Sequence, residues 1–275
     1  MPSEKGSALR KGLNLLEALA TAEDGLTARD LAERLNLHKT NVYRYLKVLQ
    51  ETRYVRRDEK ARFHLGFHVL ELGAQLLRRV PLREAAHAHL VHLSRATEKT
   101  IHLSVLEDAD ILYVDKVEGP QTLPMRSRIG TRVPAYCTAS GKVLLAALPP
   151  GELHRTLEGL DLVRRTPATI VDRARLEEEL RACAARGYAI DHGENEEHIC
   201  CFAAPIYDQS GRAVAAISLT GLAAELIEPE EQARLRRLVL KTARAISGER
   251  GYAPEAETNK GTSATTNERT RRGQG

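Results

Sequence analysis

The chain is 275 residues long, 42% hydrophobic and 28% charged, with a formal net charge of +4 at pH 7. This length leaves room for two domains, and no apolar run approaches the roughly 20 residues that cross a bilayer. The N-terminus, Met1 to Lys5, lacks the apolar stretch of a signal peptide, which predicts a cytoplasmic protein without a membrane partner.

Residues 26–49 predict two helices separated by a short break. Thr27 and Asp30 have the spacing of a capping box at the start of the first helix. In the second helix, apolar side chains repeat at the spacing i, i+3, i+4, i+7, which predicts one buried face. These side chains are Val42, Tyr45, Leu46 and Leu49. The opposite face is polar and basic, and its side chains can donate to phosphates or read base edges.

The elements around this pair predict a winged helix-turn-helix. A helix over residues 8–20 precedes the pair, and we expect it to direct Leu9, Leu13, Leu16 and Leu19 toward a shared core. Residues 54–57 and 62–65 predict a hairpin whose exposed positions are mainly Arg. In this arrangement the second helix of the pair enters the major groove of DNA, and the hairpin reaches the neighbouring backbone.

The distribution of charge agrees with binding to double-stranded DNA. Residues 38–62 contain 8 basic and 3 acidic residues, an excess larger than that of the whole chain. Basic charge concentrated on one element is typical of nucleic-acid binding. Aromatic residues make up only 4% of the chain, which argues against an RNA-binding platform on which bases stack.

We predict two kinds of DNA contact. The side chains expected to face base edges are Lys39, Thr40, Asn41 and Tyr43. Those expected to hold phosphates are Thr27, Arg44, Arg56, Arg57 and Arg62. Arg44 has an alternative role, because on the helix it could instead brace the fold.

The remaining chain predicts a linker helix and an α+β domain. The helical period of residues 66–80 is broken at Pro81, and antiparallel strands with flanking helices follow. One of these helices, residues 138–148, is expected to end at Pro149 and Pro150. The predicted domains are a winged helix-turn-helix at 1–65, a linker helix at 66–80, an effector-binding domain at 81–248 and a disordered tail at 249–275.

Several stretches in order resemble the IclR family of transcriptional regulators over nearly the whole chain. They are ALRKGL at 8–13, LHKTNVYR at 37–44, PAYCTASGK at 134–142, GYAID at 187–191, and AAPIYD at 203–208 followed by AAISLTG at 215–221. The resemblance implies a winged helix-turn-helix, a linker helix and a GAF-like antiparallel sheet with flanking helices. It also implies a regulator of a catabolic operon that responds to a small organic-acid or aromatic-acid effector.

The resemblance further implies an effector pocket. Its polar residues correspond to Asp191, Cys201, Ser218 and Thr220, and its loop side to Met125, Ala139 and Ser140. The sequence departs from the commonest family pattern at Cys200, Thr220 and Leu222, and the first two leave the identity of the effector open. Because one wing and helix read only a few base pairs, we expect a homodimer on a double-stranded operator, with a tetramer left open.

Parts of the sequence are also compatible with two other kinds of chemistry. Cys200, Cys201 and His198 lie close together in sequence, which allows a metal- or redox-responsive regulator as an alternative. However, adjacent cysteines on a strand face opposite sides, and no zinc-ligand spacing occurs. Ala139-Ser140-Gly141-Lys142 resembles part of a phosphate loop but lacks its glycine spacing. We therefore expect no enzyme activity, no catalytic residues, no metal site and no cofactor.

Overall fold

A computed structural model describes residues 4–78, 81–120, 127–226 and 228–253. The chain divides into two compact units, Met1–Glu84 and Ala85–Gly275. The division falls inside the helix Pro81–Thr97. Within the described residues, no helix has the length and apolar character needed to cross a membrane.

The first unit has the predicted order of elements. Three helices, α1 (Glu4–Ala20), α2 (Ala28–Arg34) and α3 (Lys39–Glu51), are followed by a hairpin of β1 (Val55–Arg57) and β2 (Phe63–Leu65). The helix α4 (Phe67–Arg78) comes next, at the position of the predicted linker helix. Leu26 pairs with Phe63 through two backbone hydrogen bonds of 3.0 and 2.7 Å, which tie the hairpin to the segment before α2.

The core of the first unit corrects one expectation. Leu15, Leu31 and Leu46 have no exposed surface and lie in a shared apolar cluster with Val42 and Phe63. On α1, Leu19 is buried as predicted, but Leu9 and Leu13 are 70% and 50% exposed. The face of α1 that packs inward is therefore displaced toward Leu15, and two leucines expected in the core lie on the surface.

The second unit contains the predicted α+β arrangement, which confirms the fold class. Six strands within its described residues form one antiparallel sheet in the order β5-β4-β3-β8-β7-β6. They are β3 (Thr100–Glu107), β4 (Asp110–Val117), β5 (Arg132–Pro134), β6 (Ala189–His192), β7 (Ile199–Tyr207) and β8 (Ala213–Leu222). The helices are α5 (Pro81–Thr97), α6 (Ala139–Ala146), α7 (Pro150–Glu158), α8 (Arg173–Arg186) and α9 (Pro229–Glu249).

One helix of this unit was not predicted. The two prolines after α6 indicated only a stop, whereas Pro149 is the N-cap of α7 and Pro150 is its first residue. Proline suits the first turn of a helix because its missing N–H would have no partner there. The same pair of residues thus ends one helix and begins the next.

The last helix extends one residue into the predicted tail. Glu249, the first residue of the predicted tail, is the last residue of α9. Beyond it, the Tyr252 ring stacks on Tyr207 with 4.9 Å between centroids, and the Tyr252 amide donates to Ser247. Residues 254–275, the rest of the predicted tail, lie outside the described residues.

Candidate functional sites

The helix pair begins with the capping box that the sequence predicts. The Asp30 amide donates to the Thr27 hydroxyl at 3.2 Å, and the Thr27 amide donates to the Asp30 carboxylate at 2.9 Å. The cap satisfies two amides that the first turn of a helix would otherwise leave without partners. It also fixes where α2 starts and holds the Thr27 side chain at the N-terminal end of the helix.

The polar face of α3 is open to solvent. Lys39, Thr40, Tyr43 and Arg44 are exposed and Asn41 is half-buried, whereas Val42 and Leu46 have no exposed surface. The inward face is thus anchored by core packing, and the predicted base-reading side chains lie on the outward face. This geometry is the one that a groove-binding helix requires.

The basic side chains of this unit differ in how firmly the fold holds them. Arg56 and Arg57 are exposed, and their guanidinium carbons lie 5.9 and 5.5 Å from the centroids of the Phe67 and Phe63 rings. Arg44 lies 5.3 Å from the Tyr45 ring. Each of these arginines thus lies over an aromatic ring, and Arg44 Nη2 also lies 3.5 Å from the Tyr45 hydroxyl.

Arg62 is held by the protein itself. It is half-buried, and its Nη1 donates to the carbonyl oxygen of Gly25 at 3.0 Å. Its amide donates to the Asp58 carboxylate, which also bonds His64. Part of its donor capacity is therefore used to close the hairpin against the segment before α2.

In the second unit, strand register brings the predicted polar residues to one face of the sheet. Asp191 on β6 lies opposite Cys201 on β7, and Cys201 lies opposite Thr220 on β8. Residues directly opposite in a sheet share a face, so the three side chains form one row. Two residues before Thr220, Ser218 lies on the same face opposite His102 of β3.

The first turn of α6 supplies the other wall of a cavity over this row. Thr138 caps the helix, and its hydroxyl accepts from the Gly141 amide at 3.1 Å. Ala139 and Ser140 line the cavity together with Asp191, Cys201, Ser218 and Thr220. Six of the seven residues that the family resemblance implies thus meet at one place. The seventh, Met125, lies outside the described residues.

Sequence reasoning missed several residues of this cavity. They are His102, Tyr113, Ser127, Thr138, Asn195, Glu196 and Ile199. One signal was available: His102 is a polar residue between Ile101 and Leu103 in the middle of an apolar strand. Asn195 and Glu196 carry no such signal, because they lie in a loop that only the fold brings to the cavity.

A string of polar contacts crosses the floor of the cavity. Ser127 Oγ lies 2.8 Å from His102 Nε2, and His102 Nδ1 lies 3.4 Å from the Thr220 hydroxyl. That hydroxyl in turn lies 3.3 Å from Cys201 Sγ. Burial, together with the nearby Lys116 charge, lowers the pKa of His102 to about 3. The imidazole is therefore neutral and acts as a hydrogen-bonding group.

Asp191 is the buried acidic residue among those that line the cavity. Its side chain is only 3% exposed, and the Glu194 amide donates to Asp191 Oδ1 at 2.6 Å. Burial raises the pKa of Asp191 to about 7, against the opposing effect of that amide bond. A carboxyl with such a pKa changes charge near neutral pH, so it can donate or accept a hydrogen bond there.

The cavity is small in this conformation, with a volume of about 30 Å³. Pockets for drug-sized ligands typically enclose about 300–1,000 Å³. The described walls thus fit a few non-hydrogen atoms at most, and a larger ligand requires them to move apart.

The metal or redox alternative finds no support in this geometry. Cys201 lines the cavity, whereas Cys200 points to the opposite face and lies 3.7 Å from His192 Nδ1. Burial raises the pKa of Cys200 to about 12, and a protonated thiol is a poor nucleophile and metal ligand. His198 is exposed on the loop between β6 and β7. No group of three potential ligands occurs within the described ranges.

Comparisons with known proteins cover both units. A model of the IclR helix-turn-helix domain matches residues 8–59, and one of the bacterial transcriptional regulator IclR C-terminal domain matches residues 74–248. The transcriptional regulator KdgR of Escherichia coli is 35% identical over 90% of this chain and 93% of its own length. Relatives of this kind are named as transcriptional regulators and not as enzymes.

Solved structures agree with this pattern. The crystal structure of Thermotoga maritima IclR is 36% identical and covers 90% of this chain and 99% of its own, with a TM-score of 0.75. An IclR homolog from Microbacterium hydrocarbonoxydans, described in complex with 4-hydroxybenzoate, shares the fold with a TM-score of 0.76 at 23% identity. It covers 88% of this chain and 98% of its own.

Proposed function

This chain belongs to the IclR family of bacterial transcriptional regulators, and from that premise we propose that it binds an operator as a homodimer and responds to a small organic acid. The regulator carries a DNA-binding helix-turn-helix at its N-terminus and an IclR-type C-terminal domain. We expect it to act in the cytoplasm on a catabolic operon.

On DNA, α3 enters the major groove. Lys39, Thr40, Asn41 and Tyr43 meet base edges, because they lie on the face opposite the buried Val42 and Leu46. The phosphates are contacted by Thr27, Arg44, Arg56, Arg57 and Arg62. Arg62 also braces the hairpin through its hydrogen bond to the Gly25 carbonyl, so removing it should also lower the stability of the fold.

The Ser140 hydroxyl is the main support for an effector site in this cavity. Ser140 is 2% exposed, and its Oγ has no hydrogen-bond partner among the described residues. An unpaired buried hydroxyl costs roughly 1–3 kcal/mol. The Ala139 and Ser140 amides begin α6, where the helix dipole favours negative charge. A ligand carboxylate at this end of the cavity would accept hydrogen bonds from these groups.

The opposite side of the cavity selects the rest of the ligand. An ionised Asp191 repels a carboxylate, so Asp191 faces a hydroxyl, an amide or a hydrated carbonyl of the effector. Ser218 and Thr220 offer donors between the two ends. The effector is therefore a small acid, aliphatic or aromatic, that also carries a polar oxygen. The 4-hydroxybenzoate complex of a protein with this fold is consistent with such a ligand.

The test measures operator affinity by fluorescence anisotropy, using DNA from upstream of the gene and a panel of hydroxy-, oxo- and phenolic acids that includes 4-hydroxybenzoate. An effector should shift operator affinity by a coupling of about 1–3 kcal/mol. Asp191→Ala and Ser218→Ala should lose this shift and keep operator affinity. Ser210→Ala, in an exposed turn of the same domain, should keep both. A full effector response in both cavity variants would show that the pocket lies elsewhere.

The dimer contact is proposed on α1 and α4. Exposed apolar side chains are unusually dense there: Leu9, Leu13, Phe67, Leu70, Leu72 and Leu76 are 43–73% exposed. Large exposed apolar patches mark interaction surfaces, and a second copy provides a self-complementary partner for one. Two copies also supply the two half-sites that specific recognition needs.

A further inference from the structure

Lys142 is a buried cation on an otherwise apolar helix. It is 1% exposed, and its neighbours Val143, Leu144 and Leu145 are buried in the apolar core of the second unit. Its Nζ lies 2.5 Å from Glu194 Oε1 and 3.5 Å from Glu179 Oε1. Because burying a charge pair costs about as much as its attraction returns, stability alone does not account for a lysine here.

Glu194, the partner of Lys142, lies in the loop after β6 that hydrogen-bonds to Asp191. The Glu194 amide donates to Asp191 Oδ1 at 2.6 Å, and the Glu194 carbonyl accepts from the Thr169 hydroxyl at 2.7 Å. Its side chain is held by Lys142, while its second carboxylate oxygen has no partner among the described residues. The next residues, Asn195 and Glu196, line the cavity.

The ion pair thus joins two walls of the cavity. Lys142 lies in the second turn of α6, directly after the turn whose Ala139 and Ser140 form one wall. Glu194 belongs to the loop that forms the other wall. Lys142 itself does not line the cavity, and its contact with the loop that does is the ion pair with Glu194.

We propose that Lys142 is a positioning residue whose ion pair with Glu194 fixes the loop at residues 193–196 and thereby holds the Asp191 carboxyl in the cavity. That the cavity receives an effector rests on the function proposed above. The positioning itself is a property of the protein without ligand, and it is tested without one.

Removing Lys142 by itself leaves Glu194 without its buried counter-charge, which can unfold the domain. The informative variant is therefore the double substitution Lys142→Met and Glu194→Gln, which removes both charges. Glu194→Gln is made as a second variant, because it leaves Lys142 facing Glu179. The control is Leu157→Ala, which lowers stability by opening a cavity in the same apolar core.

Hydrogen exchange of the full-length protein, followed by mass spectrometry, gives the readout. In the double variant, peptides covering 193–197 should exchange about tenfold faster, since the Glu194 amide loses its fixed acceptor. Glu194→Gln should show a smaller effect at the same place, and Leu157→Ala should leave this segment slow relative to the rest of the domain. Wild-type exchange of the loop in the double variant would overturn the proposal, as would equal acceleration in Leu157→Ala. Because no effector is used, a failure of the effector assignment would not alter this result.

Discussion

Among single residues, Asp191 shows how one buried group can link a binding site to pH. The folded protein keeps the Asp191 proton up to about pH 7, whereas an unfolded chain releases it near the ordinary value of 3.8. The stability that comes from this proton is complete below about pH 4 and is lost as the pH rises through 7. An ionised Asp191 also opposes a ligand carboxylate nearby.

Asp191→Asn should therefore stabilise the protein at high pH and not at low pH. The amide keeps an oxygen for the Glu194 N–H bond but never bears a charge, so the variant should gain a few kcal/mol over wild type at pH 8 and little at pH 4. Urea denaturation of both proteins at pH 4, 6 and 8 gives this difference. A difference that does not change with pH would contradict the burial effect.

Two residues of the helix-turn-helix unit should separate specificity from general affinity. Asn41→Ala should relax sequence preference at one operator position by about 1–3 kcal/mol, because a base contact is lost. Arg57→Ala should weaken all sequences alike and reduce the slope of log K against log salt by about one. Anisotropy titrations against the operator, single-base variants of it and unrelated DNA, at several salt concentrations, distinguish the two. Unchanged affinity and preference in Asn41→Ala would mean that α3 is oriented differently.

Individual residues also show how much of the cavity can be predicted from the sequence. Asp191, Cys201, Ser218 and Thr220 were available from sequence, because strand alternation and the family resemblance place them on one face. Asn195 and Glu196 were not, since their approach to the cavity depends on Lys142 and Thr169, which are distant in sequence. The apolar neighbours of Lys142 on α6 gave no indication that its charge would be paired and buried.

Among secondary-structure elements, the hairpin depends on a close approach at its base. Gly25 has φ +68°, in the left-handed region, and a Cβ there would lie 2.7 Å from the Phe63 carbonyl oxygen and 2.5 Å from the His64 ring. The Gly25 carbonyl also accepts from Arg62. Only glycine fits at this position without displacing β2.

Gly25→Ala should therefore lower the free energy of unfolding by about 1–3 kcal/mol and weaken operator binding, because the hairpin is displaced. Gly151→Ala is the matched control: Gly151 lies in helix α7 with open space where the Cβ would be, and alanine is a better helix former. Denaturation curves and operator affinity are measured for both. Equal stability of the two variants would show that the turn accommodates a side chain.

At the scale of the whole molecule, the sequence predicted most of the architecture. The winged helix-turn-helix and the antiparallel sheet follow from apolar periodicity and turn residues. The inward face of α1 did not follow, because Leu9 and Leu13 have the same helical spacing as core leucines and differ only in what covers them. The helix α7 was missed for a similar reason, since a proline pair marks an end and a beginning equally well.

The exposed leucines should control assembly. Leu13→Glu together with Leu70→Glu should convert the protein to a monomer in analytical ultracentrifugation and weaken operator binding by at least about tenfold, because two half-sites are no longer bound together. Val163→Glu, which replaces a side chain that is 56% exposed in the second unit, should leave the dimer intact. A dimer that survives the double substitution would place the contact elsewhere.

The small volume of the cavity has a consequence for the speed of the response. A space of about 30 Å³ cannot admit an aromatic acid until the walls separate, so each encounter must wait for an opening. The observed binding rate should then level off as ligand concentration increases, at a ceiling set by the opening rate and not by diffusion. Stopped-flow measurements would show this plateau. The loop held by the ion pair of Lys142 and Glu194 would then limit how fast the regulator responds to its effector.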